Sequence, residues 1–217
     1  MELIVYVLLM LTSTVGLAFV IERGIALRWR RVAPPEVEAA VASCQTPEDV
    51  PMLKRVCQQH NSVMSRLLLV AADHLDWSKA EAVEAIQTRA RHEIAKLERG
   101  LVVLEIIVGI APLLGLVGTI MGMMSVFGDV GQAGMVDAGK LAQGIALILR
   151  ATLFGLLIAI PSLVFWSYYT KKVEAFAVEM ETVCDEFVRR QYREEMRAAQ
   201  AAGYGLQSTV HSPRSDS

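Results

Sequence analysis

Apolar residues are concentrated in three blocks of the chain, at 3–21, 106–128 and 151–170. Each block has about the length that an α-helix needs to cross a bilayer, roughly 20 residues. No basic segment precedes the first block and no small-residue cleavage motif follows it, so we expect a retained span rather than a signal peptide. The pattern predicts an all-α membrane protein with three transmembrane helices.

Positive charges predict the orientation of these spans. Four arginines lie at 23–31 after the first block, two lysines follow the third, and the segment 129–140 holds two acids and one base. By the positive-inside rule, the N-terminus and 129–140 lie outside. The predicted segments are a first transmembrane helix at 1–22, a cytoplasmic helical region at 23–100, a second transmembrane helix at 101–128, an outside loop at 129–140, a third transmembrane helix at 141–170, a cytoplasmic helix at 171–202 and a disordered tail at 203–217.

Spans two and three are expected to continue as long helices into a cytoplasmic helical bundle. Ser78 and Glu81 form a capping-box pattern, and no proline follows until Pro112. We therefore expect one helix from about Ser78 to about Phe127. After the third block, apolar residues recur every three or four positions, which predicts a helical stripe that packs on other helices. These residues are Val173, Phe176, Met180, Val183 and Phe187.

Small residues in the second span are spaced for close helix packing. Gly115, Gly118 and Gly122 lie on one helical face, and small residues allow neighbouring helices to approach closely in a membrane. Thr119 lies beside this face. A threonine hydroxyl can also bond to its own helix backbone, so its position alone does not assign a role.

The third span repeats the combination of threonine and glycine. Thr152 precedes Gly155, and Pro161 frees a backbone carbonyl that needs another partner in lipid. Thr119 and Thr152, one on each of two spans, fit two interpretations equally well. Either the two side chains line a shared water-filled path, or both are packing residues.

Composition and charge argue against other classes of function. The net charge of −2 gives no indication of nucleic-acid binding. Cys44, Cys57 and Cys184 form no C-x-x-C pair and are expected to be free thiols in a reducing cytoplasm. The lone pair of Cys57 and His60 lacks a second pair at zinc-ligand spacing, so we expect no metal site. The three blocks contain no histidine, cysteine or lysine, so we expect neither an intramembrane enzyme nor a cofactor.

Two segments of the chain carry a resemblance to a known family. ERGLVVLEIIVGIAPLLGLVGTIMGM and LAQGIALILRATLFGLLIAIP strongly resemble the two hallmark spans of the ExbB/TolQ family, relatives of the flagellar stator protein MotA. The resemblance implies a proton-channel subunit of a stator complex in the bacterial inner membrane, and the outside loop would then be periplasmic. It also implies a homopentamer around a single-span partner of the ExbD/TolR type, whose aspartate accepts the proton. A third component of the TonB/TolA type would complete the complex.

The resemblance also implies roles for individual residues. Thr119 and Thr152 match the family's pore-facing threonines. Glu105, at the inner end of span two, is either an interfacial charge or a proton exit group. The family has an acid five positions before the second threonine, where this chain has Leu147. Because leucine cannot relay protons, a membrane scaffold of the same fold that does not conduct stays open as an alternative.

Arg150 is an unusual residue for the third span. It lies about 200° around the helix from Thr152, so we expect the two side chains on different faces. One interpretation places it near the outer interface, where it snorkels or pairs with Asp137. The other makes it a charge that controls the pore in place of the missing acid.

Overall fold

Every element of the described chain is helical, which confirms the all-α prediction. The computed structural model describes residues 2–133 and 138–210. The helices are α1 (Glu2–Ala26), α2 (Trp29–Val32), α3 (Pro35–Ser43), a 3₁₀ turn (Pro47–Asp49), α4 (Val50–Gln59), α5 (Val63–Asp73), α6 (Lys79–Glu98), α7 (Leu101–Ala133) and α8 (Ala138–Val210). Three stretches are long and apolar enough to cross a membrane: Leu3–Ala26, Leu101–Gly128 and a part of Leu141–Glu194.

The described chain forms two compact units. The membrane unit contains the described residues of 2–27 and 96–173, and the helical unit contains residues 28–95 and 174–210. In the membrane unit, α1 packs against α7, where Gly16 of α1 lies against the Ile107 side chain. The Tyr169 hydroxyl of α8 donates a 2.9 Å hydrogen bond to the Val20 carbonyl oxygen, which joins α8 to α1.

The expected single helix from Ser78 to Phe127 is wrong, because it is divided into α6 and α7 at Arg99 and Gly100. Glycine is a weak helix former, and here the Arg23 side chain of α1 occupies the space that a Cβ at position 100 would fill. Arg23 Nη1 also donates a 3.3 Å hydrogen bond to the Leu97 carbonyl oxygen, a group that the end of a helix leaves without an intrahelical partner. A residue distant in sequence thus stabilises the break.

The capping box at the start of α6 is confirmed. The Ser78 backbone N–H donates to Glu81 Oε2 at 3.1 Å, and the Glu81 backbone N–H donates to Ser78 Oγ at 3.4 Å. Hydrogen bonds from the Ser78 hydroxyl and backbone lower the pKa of the Glu81 carboxyl from its ordinary value.

The apolar stripe of α8 is also confirmed, and in the helical unit it packs on helices of the same chain. Phe176, Met180 and Phe187 are buried, and Val183 is half-buried. The Phe176 ring lies 5.1 Å from the Trp29 ring of α2, measured between centroids.

At its C-terminal end α8 continues to Val210, although the tail was expected to be disordered from 203. Pro213 is the first proline after Pro161, so no proline interrupts the helix.

A buried carboxylate joins α5 to α6 in the helical unit. Glu93 has an exposed fraction of 0%. Its Oε2 accepts hydrogen bonds from Arg66 Nε at 3.0 Å and Nη2 at 2.6 Å, and Arg89 Nη2 lies 3.0 Å from its Oε1. A buried charge is tolerated only when it is paired and hydrogen-bonded, and these two arginines meet that requirement.

We expect Glu93→Gln to lower the free energy of unfolding by about 3 kcal/mol, because it leaves two arginines beside an uncharged buried group. The matched control is Glu186→Gln, which removes an exposed partner of Arg190 and should cost less than about 1 kcal/mol. Chemical denaturation of the purified protein, followed by tryptophan fluorescence, measures both. Equal stability of the two variants would contradict this role for Glu93.

The three cysteines are buried free thiols, as predicted. Burial is the main cause that raises the pKa of Cys57, to about 11. At pH 8 only about one part in a thousand of this thiol would be thiolate, the reactive form.

Cys57 should therefore react with a maleimide at pH 8 far more slowly than an exposed thiol. The reference is a cysteine introduced by Ser43→Cys on the exposed face of α3, and the expected difference in rate is at least about a hundredfold. Mass spectrometry of the labelled peptides measures both rates in one sample. Comparable rates would show that Cys57 is accessible and its pKa ordinary.

Candidate functional site

Helices α7 and α8 touch through their backbones at two glycines. A Cβ atom at Gly115 would lie 2.9 Å from both the Ala151 carbonyl oxygen and the Thr152 Cα atom. A Cβ atom at Gly155 would lie 2.6 Å from the Ala111 carbonyl oxygen. Backbone atoms cannot move aside as side chains can, so neither position has room for any other residue.

The close contact continues along α7 toward its C-terminal end. A Cβ atom at Gly118 would meet the Ala151 side chain at 2.8 Å, and one at Gly122 would meet Ile148 Cγ1 at 2.6 Å. We call Gly115, Gly118, Gly122 and Gly155 the glycine seam. In a membrane, where lipid chains are as apolar as side chains, such close packing is a main source of helix association.

Thr152 lies on the glycine seam and is half-buried. Its hydroxyl donates a hydrogen bond across the helices to the Gly115 carbonyl oxygen at 3.4 Å, at the long limit for such a bond. A long bond is readily exchanged for another partner. The hydroxyl is therefore held between two helices but is not committed strongly to either.

Thr119 bonds within its own helix. Its hydroxyl donates to the Leu116 carbonyl oxygen at 2.7 Å, and the side chain is half-buried. Thr119 stands one helical turn beyond Gly115, the residue whose carbonyl Thr152 reaches. Thr119 thus lies roughly 6 Å along the axis of α7 from the residue that Thr152 contacts.

Glu105 and Arg150 lie away from the seam. Both side chains are exposed in the single chain, on α7 and α8 respectively. Arg150 and Thr152 therefore lie in different surroundings, one exposed and one on the seam. Asp137, the partner considered for Arg150, lies outside the described residues.

Leu147 lies on the side of α8 that faces α1. It lines a small recess with Val5 and Tyr6 of α1 and Gly118 and Gly122 of α7. The position at which the family resemblance implies an acid is therefore next to α1 in this chain. Sequence patterns could not predict this neighbourhood, because α1 is separated from α8 by more than a hundred residues.

Pro161 also lies toward α1 rather than on the seam. The α8 helix runs through it without a break, and the neighbouring Ser162 hydroxyl donates to the Ile158 carbonyl oxygen at 2.8 Å. Pro161 and Ser162 line a cleft between α8 and α1.

The sequence of this chain matches a known protein family. A sequence profile of the MotA/TolQ/ExbB proton channel family matches residues 59–182, more than half of the chain and all of the glycine seam. The chain belongs to this family. With its three apolar helices, this MotA/TolQ/ExbB family member is a multi-pass protein of the inner membrane. The family is of the transport and channel type and is not known for enzymes.

Individual relatives agree with this assignment. The biopolymer transport protein ExbB of Aquifex aeolicus is 31% identical over 108 residues, which cover 50% of this chain and 72% of the relative. The protein of the same name from Helicobacter pylori strain J99 is 37% identical over 81 residues, 37% of this chain and 56% of the relative.

Gly155→Ala should destabilise the membrane unit by about 1–3 kcal/mol, because the added methyl group meets the Ala111 carbonyl and forces α7 and α8 apart. Gly109→Ala is the matched control. A Cβ atom there has no neighbour within 4 Å, so this variant should be as stable as the wild type or slightly more. Thermal unfolding in detergent compares the two variants, and an unchanged Tm for Gly155→Ala would show that the seam can open at little cost.

Proposed function

We propose that this chain is the proton-channel subunit of an ExbB–ExbD or TolQ–TolR type complex, which uses the proton motive force to drive envelope transport or mechanical work. The observation that carries the proposal is the Thr152 hydroxyl, held on the glycine seam by a long bond to the Gly115 carbonyl oxygen. A hydroxyl can both donate and accept a hydrogen bond, so it can join a chain of waters or of titrating groups.

The proton-accepting group in this proposal belongs to a partner. Within the two stretches 101–128 and 141–170 the only charged residues are Glu105 and Arg150, and both lie away from the seam. A conducting path along the seam therefore needs a carboxylate from outside this chain. A single-span protein of the ExbD/TolR type would supply it as an aspartate, enclosed by five copies of this chain.

The proposed proton path passes the two threonines. Thr119 and Thr152 would offer hydroxyls to the partner's aspartate. Glu105, near the start of α7, would receive the proton at the inner end. This direction assumes that the N-terminus and 129–140 lie outside, as the charge distribution predicts. A third component of the TonB/TolA type would carry the resulting force across the envelope.

Leu147 favours a second candidate function, a scaffold of the same fold that does not conduct. The residue lines an apolar recess beside Val5 and Ile148, where no acid is present to relay or neutralise a charge. Arg150 bears on the same question. We propose that Arg150 lies near the outer interface and snorkels, because its side chain is exposed and lies away from Thr152. The other interpretation of Arg150 makes it a charge that controls the pore in place of the missing acid.

Thr152→Val should reduce proton flux by about tenfold or more, because valine keeps the shape of threonine but removes the hydroxyl from the seam. The measurement is proton uptake into liposomes that hold this protein with its single-span partner. The matched control is Thr182→Val, whose exposed hydroxyl bonds the Val178 carbonyl outside the spans. The partner with its aspartate changed to asparagine should also show no flux.

The two candidate functions give different results in the same liposomes. Full flux in Thr152→Val would remove the threonine from the path. Absence of flux in a well-assembled wild-type complex would favour the scaffold. Recovery of flux by Leu147→Glu would then identify the missing acid as the reason.

A further inference from the structure

A cleft between α1 and α8 in the membrane unit is lined almost entirely by apolar side chains. Its volume is about 400 Å³. Of the thirteen residues that line it, only Tyr6, Ser13 and Ser162 carry a polar side-chain atom, and the Ser162 hydroxyl is already bonded to the Ile158 carbonyl. The cleft therefore offers its occupant an almost wholly apolar wall.

Aromatic contacts close the cleft at both ends. At one end, the rings of Tyr6 and Phe154 meet edge to face with centroids 6.3 Å apart. At the other, the Tyr169 hydroxyl bonds the Val20 carbonyl, and the Tyr169 ring stacks on Phe165 with centroids 6.0 Å apart. From Tyr6 to Val20 the α1 helix rises by about 21 Å, so the cleft is long and narrow.

Its dimensions and surroundings restrict what can fill it. Both walls belong to stretches that are apolar enough to cross a membrane, so the cleft lies at the depth of lipid chains. Water needs several polar partners to occupy a cavity, and the wall does not provide them. A transmembrane helix is 10–12 Å wide with its side chains and would need on the order of 2,000 Å³ over this length. A single hydrocarbon chain is the occupant that fits.

A cation lies beyond the end of the cleft that Phe165 and Tyr169 close. The Tyr168 and Tyr169 rings are in contact, with centroids 5.5 Å apart, and Lys172 Nζ lies 5.6 Å from the centre of the Tyr168 ring. Aromatic rings and lysines of this kind are typical of the level of lipid headgroups. An ammonium group there is complementary to a phosphate.

We propose that this cleft binds a phospholipid of the leaflet on the Lys172 side, with one tail between α1 and α8 and its phosphate beside Lys172. The lipid fills the gap that the two helices leave between the aromatic contacts at either end. It thereby joins α1 to α8 between those two ends. The site is separate from the glycine seam and does not depend on whether the complex conducts protons.

Photo-crosslinking from the lipid tail tests the site. The full chain with its partner is reconstituted in phosphatidylethanolamine vesicles that contain phosphatidylglycerol with a diazirine in one tail. After irradiation, mass spectrometry locates the labelled residues. We expect labelling concentrated on the cleft walls, at 9–20 of α1 and 154–165 of α8, relative to the exposed face of α7 in the same molecules.

Leu157→Trp fills the cleft and should reduce labelling of its walls by about tenfold. Ile160→Trp is the matched control, because Leu157 and Ile160 are 57% and 59% exposed on the same helix and only Leu157 lines the cleft. If Leu157→Trp does not assemble, Met10→Trp fills the cleft from α1, with the neighbouring Leu11→Trp as its control. Lys172→Gln should lower the labelling severalfold, whereas Lys171→Gln should not.

Labelling spread evenly over all exposed span residues, or unchanged by Leu157→Trp and Met10→Trp, would overturn the site. Cleft walls that are labelled when this chain is reconstituted without its partner, but not when the partner is present, would assign the cleft to the partner instead. If Leu157→Trp removes the label but Lys172→Gln does not, the tail site stands and the phosphate contact is wrong.

Discussion

The backbone contact of α7 with α8 is the constraint on which the rest of the membrane unit depends. Gly155 lies so close to the Ala111 carbonyl that even one methyl group would not fit between them. Lipid provides no hydrophobic force that drives helices together, so this association relies on close packing and hydrogen bonds. The contact also sets the distance at which the Thr152 hydroxyl reaches the Gly115 carbonyl. Any widening of the seam would remove that bond.

The seam offers hydroxyls but no titratable group, and this division has a physical reason. A charge at bilayer depth is costly, whereas a threonine hydroxyl can satisfy itself on a nearby carbonyl at little cost. Thr119 does so on the Leu116 carbonyl, and Thr152 does so less strongly on Gly115. Because both hydroxyls are bonded to backbone carbonyls, this chain needs no titratable group on the seam. It becomes a conductor, in our proposal, only when a partner brings a carboxylate to the seam.

Buried polar groups find their partners differently in the two units. In the membrane unit, the Tyr169 and Ser162 hydroxyls bond to backbone carbonyls, and the apolar cleft between α1 and α8 is left for a lipid in our proposal. In the helical unit, the carboxylate of Glu93 is buried and two arginines neutralise it. The first arrangement avoids charge where water is absent. The second uses a charge pair to join α5 to α6.

The sequence by itself determined what local periodicity encodes. The lengths of the apolar blocks predicted three spans, the three- and four-residue spacing predicted the buried stripe of α8, and the Ser78 pattern predicted the capping box. Each of these depends on residues within a turn or two of one another. The two spans also carried the family resemblance, which the profile match to the proton channel family confirmed.

Tertiary structure decided what depends on residues far apart in the chain. Arg23 stabilises the break between α6 and α7, which the helix-forming sequence around Gly100 did not predict. The neighbours of Leu147 come from α1, and the partners of Glu93 include Arg66, which lies 27 residues away. The cleft has walls from the first and third spans, so neither sequence segment contains it. Local patterns fix helices and their apolar faces, but only packing determines which faces meet.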